Sequence, residues 1–148
     1  VVGPARNEAD VIEEALLSFS GQDYEGDIRV FLVDDRSDDE TAHLARRVPG
    51  VTVVSASDTP PGWTGKLWAV SQGLAAAEEA GVPAEYFWLT DADIAHHPGE
   101  IASLVAGSEH SGLDLNSLMV RLRIDRLWDV LLIPAFVFSF RSFIRFRG

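Results

Sequence analysis

The sequence predicts an α/β fold, a doubly wound and mostly parallel sheet with helices on both faces. Three observations lead there. Strand-like apolar runs alternate with helix-periodic segments along the chain. The run Ile28 to Val33 is apolar except for Arg29, as suits a strand covered on both faces. Acidic and polar residues follow these runs rather than interrupt them, and the carboxyl ends of strands are where open α/β sheets place ligands.

The elements follow in order. Val1-Val2 closes a first strand. Asn7 can cap a helix that sets Val11, Ile12, Ala15, Leu16 and Phe19 on one face, and Gly21 ends it. Ile28 to Val33 is the second strand. Asp38 can cap a second helix with Leu44, Ala45 and Val48 inward. Val51 to Val54 is a third strand, followed by a loop over 55–64 rich in Pro, Asp and Gly. Leu67, Val70, Leu74 and Ala77 make a third helix face, closed by Gly81. Tyr86 to Leu89 is a fourth strand, and Pro98 starts a fourth helix near its first turn. Leu115 to Ile124 alternates weakly as a fifth strand. No internal repeat, low-complexity stretch or linker interrupts the series.

At 148 residues the chain is one domain's worth, and 47% hydrophobic with 24% charged residues marks it as globular. The absence of cysteine excludes disulfides and thiolate metal sites. The net charge of −11 is unevenly spread: residues 1–118 carry 6 Lys/Arg against 21 Asp/Glu, and residues 119–148 carry 6 Arg against 2 Asp. The acidic part is a poor partner for nucleic acid, whose phosphates demand the opposite sign. The basic part is also the most apolar. Its stretch Leu127 to Phe140, interrupted by Asp129 and Pro134, is too short to cross a bilayer, which takes ~20 apolar residues. With Arg141, Arg145 and Arg147 behind it, an amphipathic element lying in a membrane interface is expected. A helix packed on another part of the protein is the plainer alternative.

The candidate site lies at the strand ends. Pro4, Arg6, Asn7 and Glu8 follow the first strand, Asp34 to Asp38 the second, and Asp91 and Asp93 the fourth. Carboxylates gathered on one rim repel one another unless a counter-charge sits among them. Mg²⁺ typically takes one or two protein carboxylates and completes its shell with phosphate and water oxygens. Asp91 and Asp93 are the expected pair. An isolated Asp-x-Asp is more often a helix cap beside a solvated residue, and the acidic neighbours turn that balance toward a ligand site. Lys66, after Gly65 at a helix start, can face a phosphate or simply be an exposed first-turn lysine. Trp63 and Trp68 can stack on a base or sugar, or anchor their loop. His96-His97 offers a metal ligand or a solvated turn, the latter the better expectation. Gly62 to Leu67 is not a P-loop, since its glycines are too close and no Ser/Thr follows the lysine. No G-x-G-x-x-G follows a strand, which disfavours a dinucleotide dehydrogenase. A phosphotransferase with an aspartyl nucleophile also uses a strand-end Asp-x-Asp, but the place of its Thr or Val is taken by Ala95.

Four segments in order, Pro4-Ala5-Arg6-Asn7-Glu8, Val33 to Asp39, Gly65-Lys66-Leu67-Trp68-Ala69 and Leu89-Thr90-Asp91-Ala92-Asp93, resemble family 2 inverting glycosyltransferases. In detail they are similar to the members associated with hopanoid biosynthesis. The resemblance implies a GT-A, Rossmann-like fold, incomplete at its C-terminal end, with 1–124 as the nucleotide-sugar-binding core and 125–148 as the apolar and basic element. It implies a nucleoside-diphosphate sugar donor, a divalent metal (Mg or Mn), a lipid-type acceptor and work at the cytoplasmic face of the cell membrane. By that resemblance Pro4, Arg6, Glu8, Asp34 and Asp35 line the nucleoside pocket. Asp91 reaches the ribose and diphosphate and shares the metal with Asp93, and Lys66 lies near the phosphates. The family's carboxylate base and the Gln-x-x-Arg-Trp motif of its processive members have no counterpart, and Asp125 and Asp129 stand in neither. The chain therefore reads as truncated at both ends, with the base expected beyond Gly148 and no catalytic residue assigned. The other readings are a non-catalytic nucleotide- or metal-binding domain, the phosphotransferase, and a structural membrane-associated module.

Overall fold

The computed structural model describes residues 1–81 and 83–118. The chain divides into two compact units, Val1–Asn116 and Ser117–Gly148, and the elements below all belong to the first. They are β1 (Val2–Ala5), α1 (Ile12–Ser20), β2 (Val30–Asp34), α2 (Thr41–Ala45), β3 (Val51–Ser55), α3 (Gly65–Glu79) and α4 (Glu100–Ser111). The three strands form one parallel sheet in the order β1-β2-β3, with Val2 opposite Phe31 and Val30 opposite Val51.

The expected fourth strand is reduced to a single parallel bridge between Val2 and Leu89. The Val2 N–H donates to the Trp88 carbonyl at 2.9 Å, and the Thr90 N–H donates to the Val2 carbonyl at 3.2 Å. The neighbouring Val1 carbonyl accepts from Phe31, so residues 88–90 run along the other edge of β1. Tyr86, Phe87 and Leu89 are exposed, and without a covered face the apolar run does not extend its ladder. The spatial order is thus β3-β2-β1 and then the Leu89 segment. The chain steps outward from β1 to β3 and returns across to the far edge of β1, so the order reverses between β1 and Leu89. That switch point is where doubly wound sheets open a crevice. Of the expected fifth strand, residues 115–118 belong to no strand, and 119–124 lie outside the described residues, as does the interfacial element at 125–148. Among the described residues no helix is long and apolar enough to cross a membrane.

β2 is buried at all five positions because both of its faces are covered. Val30 and Leu32 join Ile12, Ala15, Leu16 and Phe19 of α1, together with Ala45 and Val48, in one core. Val33 and Val2 point to the opposite face, where α3 lies so close that a Cβ on Gly73 would stand 2.5 Å from Val2 Cγ1 and 2.8 Å from Val33 Cγ2. Ala92 is part of the α1-side core. The residue between the two aspartates is therefore a buried plug, from which Asp91 and Asp93 emerge.

Two expected helix caps are corrected. Asn7 does not cap α1. It adopts a left-handed backbone (φ 57°), the N-cap position is Val11 with no side-chain bond, and the Glu8 carbonyl accepts the Val11 and Ile12 N–H groups. Asp38 does not cap α2. The N-cap position is Glu40, with no side-chain bond, and Asp39 just before it accepts the Thr41 N–H on Oδ1 at 3.0 Å and also the Thr41 hydroxyl. Gly21 ends α1 as expected, and Gly81, at φ 68°, follows the last turn of α3. Pro98 stands just ahead of α4, whose N-cap is Gly99.

Candidate functional site

The loops after β1 and β2 are stitched together. The Asn7 N–H donates to Ser37 Oγ at 3.0 Å, and the Asp38 N–H donates to Asn7 Oδ1 at 2.9 Å. The Glu8 N–H donates to Thr41 Oγ1 at 2.8 Å, and the Ala9 N–H to Asp39 Oδ2 at 3.1 Å. Thr41 is wholly buried, and its hydroxyl joins Glu8 to Asp39. The Thr41 hydroxyl and N–H hold the Asp39 carboxyl below the usual aspartate range. Short polar side chains thus satisfy backbone N–H groups that the turns leave unpaired, and they fix the two loops against each other.

Pro4 sits within β1 opposite Val33, half-buried. Asp34 and Asp35 close the carboxyl end of β2, both buried. Asp34 Oδ1 accepts the Ser37 N–H at 3.3 Å. The Asp35 carboxylate lies 3.8 Å from Arg6 Nη1 and 3.5 Å from Arg36 Nε, so two guanidinium groups balance it. It also abuts the first residue of α3, where a Cβ on Gly65 would fall 2.9 Å from Asp35 Oδ2. Arg36, like Asn7, has a left-handed backbone (φ 57°), which turns the chain sharply after the paired aspartates.

Asp91 and Asp93 stand at the carboxyl end of the Leu89 segment, beside β1. Lys66, from the first turn of α3, puts its Nζ 2.5 Å from Asp91 Oδ1, with the lysine and aspartate side chains 62% and 47% exposed. Burial first, then the carboxylates of Asp93, Asp39 and Asp91, push the Glu8 carboxyl above the ordinary glutamate range. Loops after β1, β2 and the Leu89 segment therefore share one acidic field. Among the described residues no three acidic or histidine side chains come close enough to enclose a metal ion by themselves. Trp63 and Trp68 meet edge to face, with ring centroids 5.2 Å apart. Trp68 Nε1 donates to Ser57 Oγ, and half-exposed Trp63 stands near Lys66 in sequence, on the open side of the loop.

His96 is not the solvated turn residue, or the metal ligand, that the sequence offered. Its side chain is 5% exposed and both ring nitrogens are engaged, Nε2 with Thr90 Oγ1 at 2.7 Å and Nδ1 with Glu100 Oε2 at 2.9 Å. His97 is the exposed member of the pair, and its Nδ1 accepts the Gly99 N–H. Gln22 also escaped the sequence reading. Buried at the end of α1, it donates to the Ser18 and His97 carbonyls and accepts the Ile101 N–H, binding the start of α4 to α1. A glutamine two residues past a helix carries no signal of that role. Thr41, at a helix start in an acidic run, carries only the generic signal of a capping hydroxyl.

Residues 1–136 match the family model described as Glycosyl transferase family 2. Among solved structures, the chain is similar to S. aureus TarS 1–349 in complex with UDP, at 21% identity with a TM-score of 0.61. That likeness covers 82% of this chain and 37% of the other, so this chain spans well under half of its length. At that identity the likeness is one of fold, and with the family match it identifies the α/β architecture as the GT-A, Rossmann-like fold. No curated protein sequence matches the chain.

Proposed function

This chain belongs to glycosyl transferase family 2, and from that premise we propose that it binds a nucleoside-diphosphate sugar on the carboxyl-end rim of its sheet and serves transfer of that sugar. One observation carries the reading: Asp91-Ala92-Asp93 stands beside β1 at the switch point of the sheet, anchored by buried Ala92 and facing Glu8. The UDP in the TarS structure is consistent with such a donor.

The donor set fits a hard divalent cation such as Mg²⁺ or Mn²⁺. It is made only of oxygens, burial and the carboxylates of Asp93, Asp39 and Asp91 raise the proton affinity of Glu8, and the diphosphate supplies the remaining ligands such a cation needs. Asp93 and Asp91 would hold it, and when bound it neutralises charge developing on the leaving diphosphate. Lys66 balances Asp91 in the free protein and is placed to pair with phosphate oxygens once the donor competes for that carboxylate. Pro4, Arg6, Glu8, Asp34 and Asp35 line the nucleoside end, where the Asp35 carboxylate holds Arg6 and the start of α3 in register. Trp63 offers a ring face for the base or sugar.

The transfer itself is a single displacement with inversion. The acceptor oxygen bonds to the anomeric carbon as the bond from that carbon to the diphosphate oxygen breaks, and a carboxylate base takes the acceptor proton. No described residue is given that role. The apolar, arginine-rich sequence at 125–148 favours a lipid-type acceptor met at the cytoplasmic face of the membrane. The test is calorimetry of UDP and GDP with and without Mn²⁺. Metal-dependent binding is expected in the wild type and lost in Asp93→Ala; unchanged metal dependence in that variant sinks the assignment.

A further inference from the structure

His96 belongs to no role assigned above, yet it is among the best-held side chains near the site. Its ring fills the gap between Phe19 of α1 and Trp88, with centroids 5.4 and 4.4 Å away. Its backbone N–H donates to Ser18 Oγ at 3.0 Å. The Glu100 carboxylate can only accept, so Nδ1 carries a proton and Nε2 is free to meet the Thr90 hydroxyl. Thr90 is the residue directly before Asp91. Its N–H is spent on the Val2 carbonyl, and its own carbonyl lies 3.3 Å from where a Gly3 Cβ would stand. A buried histidine with a second partner behind it is the arrangement that fixes tautomer and ring direction.

We propose that His96 is a positioning residue: the chain Glu100–His96–Thr90 locks the backbone immediately before Asp91 and so sets the direction in which Asp91 and Asp93 leave the sheet. Ala92 anchors the turn from inside the core, and Thr90, held by His96, anchors its entry. This rests on the reading that those aspartates hold the donor's diphosphate and metal. The lock itself is a property of the free protein.

The experiment uses the full chain and distinguishes the two ring nitrogens. Gln at position 96 can place an amide near the Nε2 position and keep Thr90; Asn reaches only the Nδ1 position and keeps Glu100. Amide hydrogen exchange of Thr90 is measured in His96→Gln, His96→Asn and Thr90→Val, with the Phe31 and Asp35 amides of the central sheet as internal references. Expected are Thr90 protection about fivefold lower in His96→Asn and Thr90→Val, the factor one net hydrogen bond supports, and near wild-type protection in His96→Gln. The double variant His96→Asn/Thr90→Val should be no worse than either single one. Equal losses in Gln and Asn variants, an unaffected Thr90→Val, or parallel losses at Phe31 and Asp35 would mean that His96 is merely filler, and each overturns the proposal. Calorimetry with Mn²⁺ and UDP then reads the consequence: about tenfold weaker binding in His96→Asn and wild-type affinity in His96→Gln. Wild-type affinity in both, despite lost protection, overturns the positioning role. If the wild type binds neither UDP nor GDP, the donor reading fails, and the exchange pattern alone decides the lock.

Discussion

The two sides of the rim are built differently. On the β1–β2 side, four hydrogen bonds of 2.8–3.1 Å join loops some thirty residues apart, one of them to a threonine with no exposed surface. On the Asp91 side, the only cation joined to the aspartate pair among the described residues is Lys66, in an ion pair exposed to water at both ends. A hydrogen bond to a buried hydroxyl such as that of Thr41 is costly to leave unmade, and the three more exposed bonds beside it add to the same joint, whereas a lone exposed ion pair contributes little to stability. The first side is thus a prebuilt shape. The second is a charge arrangement that an incoming diphosphate or cation can rearrange at small cost, as a site that must bind and release its ligand requires.

The contrast breaks most visibly at Thr41. Thr41→Val keeps the shape but leaves the Glu8 N–H without its acceptor and takes from the Asp39 carboxylate one of its three donors, the Thr41 and Ala9 N–H groups remaining. A buried donor left unpaired costs about 1–3 kcal/mol, so a loss of about 2–3 kcal/mol is expected in urea unfolding, with an unchanged denaturant slope. A loss below about 0.5 kcal/mol would mean that the loops are not held as described.

Gly73 gives the next effect. Ala in its place would improve helix propensity by up to about 1 kcal/mol. The added methyl, at 2.5 and 2.8 Å from two valines of the sheet, would force repacking at about 1–3 kcal/mol. The clash should win, with Gly73→Ala less stable by about 1 kcal/mol in thermal or urea melts. A more stable variant would show that α3 can move away from the sheet freely, and Lys66 with it.

Much of this was readable from sequence, and the failures share a cause. The run into β2 is continuous because both faces are covered, so its burial could be read without knowing what covers it. Asp34-Asp35 and Asp91-Asp93 fall at strand ends by chain order alone. Asn7 and Asp38 were misread because a short polar side chain can serve any nearby N–H, and sequence favours the adjacent helix over a loop thirty residues away. His96 was misread because its surroundings come from Phe19, Thr90 and Glu100 on three different segments. Gly73 carried no signal, since close approach of a helix to a sheet is a property of the packed pair. Chain order exposes position along the rim; it does not expose which backbone group a polar side chain meets across it.

Lys66 sharpens the comparison from the other side. Lys66→Ala should change the stability of the free protein by less than about 0.5 kcal/mol, because its ion pair is exposed. It should nevertheless weaken UDP binding with Mn²⁺ by about tenfold, the loss of one charge-assisted contact to phosphate. Equal losses in stability and affinity would make Lys66 structural and erase the difference between the two sides.

The smallest effect is that of pH on Glu8, which touches both sides at once. Its carboxyl is held above the ordinary glutamate range, first by burial and then by Asp93, Asp39 and Asp91. The folded protein therefore binds this proton more tightly than the unfolded chain, and stability must fall as pH rises from the ordinary value through the raised one. Below both values the proton is bound in each state and the penalty is absent; above both it is complete. Glu8 is only partly buried, so the change is a small downward slope of melting temperature just above the ordinary glutamate value. Glu8→Gln should flatten that slope. A divalent cation at Asp91 and Asp93 should flatten it too, since added positive charge lowers the proton affinity of every carboxylate in its field. Binding of Mn²⁺ at weakly acidic pH should then release protons, measurable as a buffer-dependent heat that Glu8→Gln reduces. A slope that persists in Glu8→Gln would assign the pH sensitivity to other groups and leave Glu8 outside the shared acidic field.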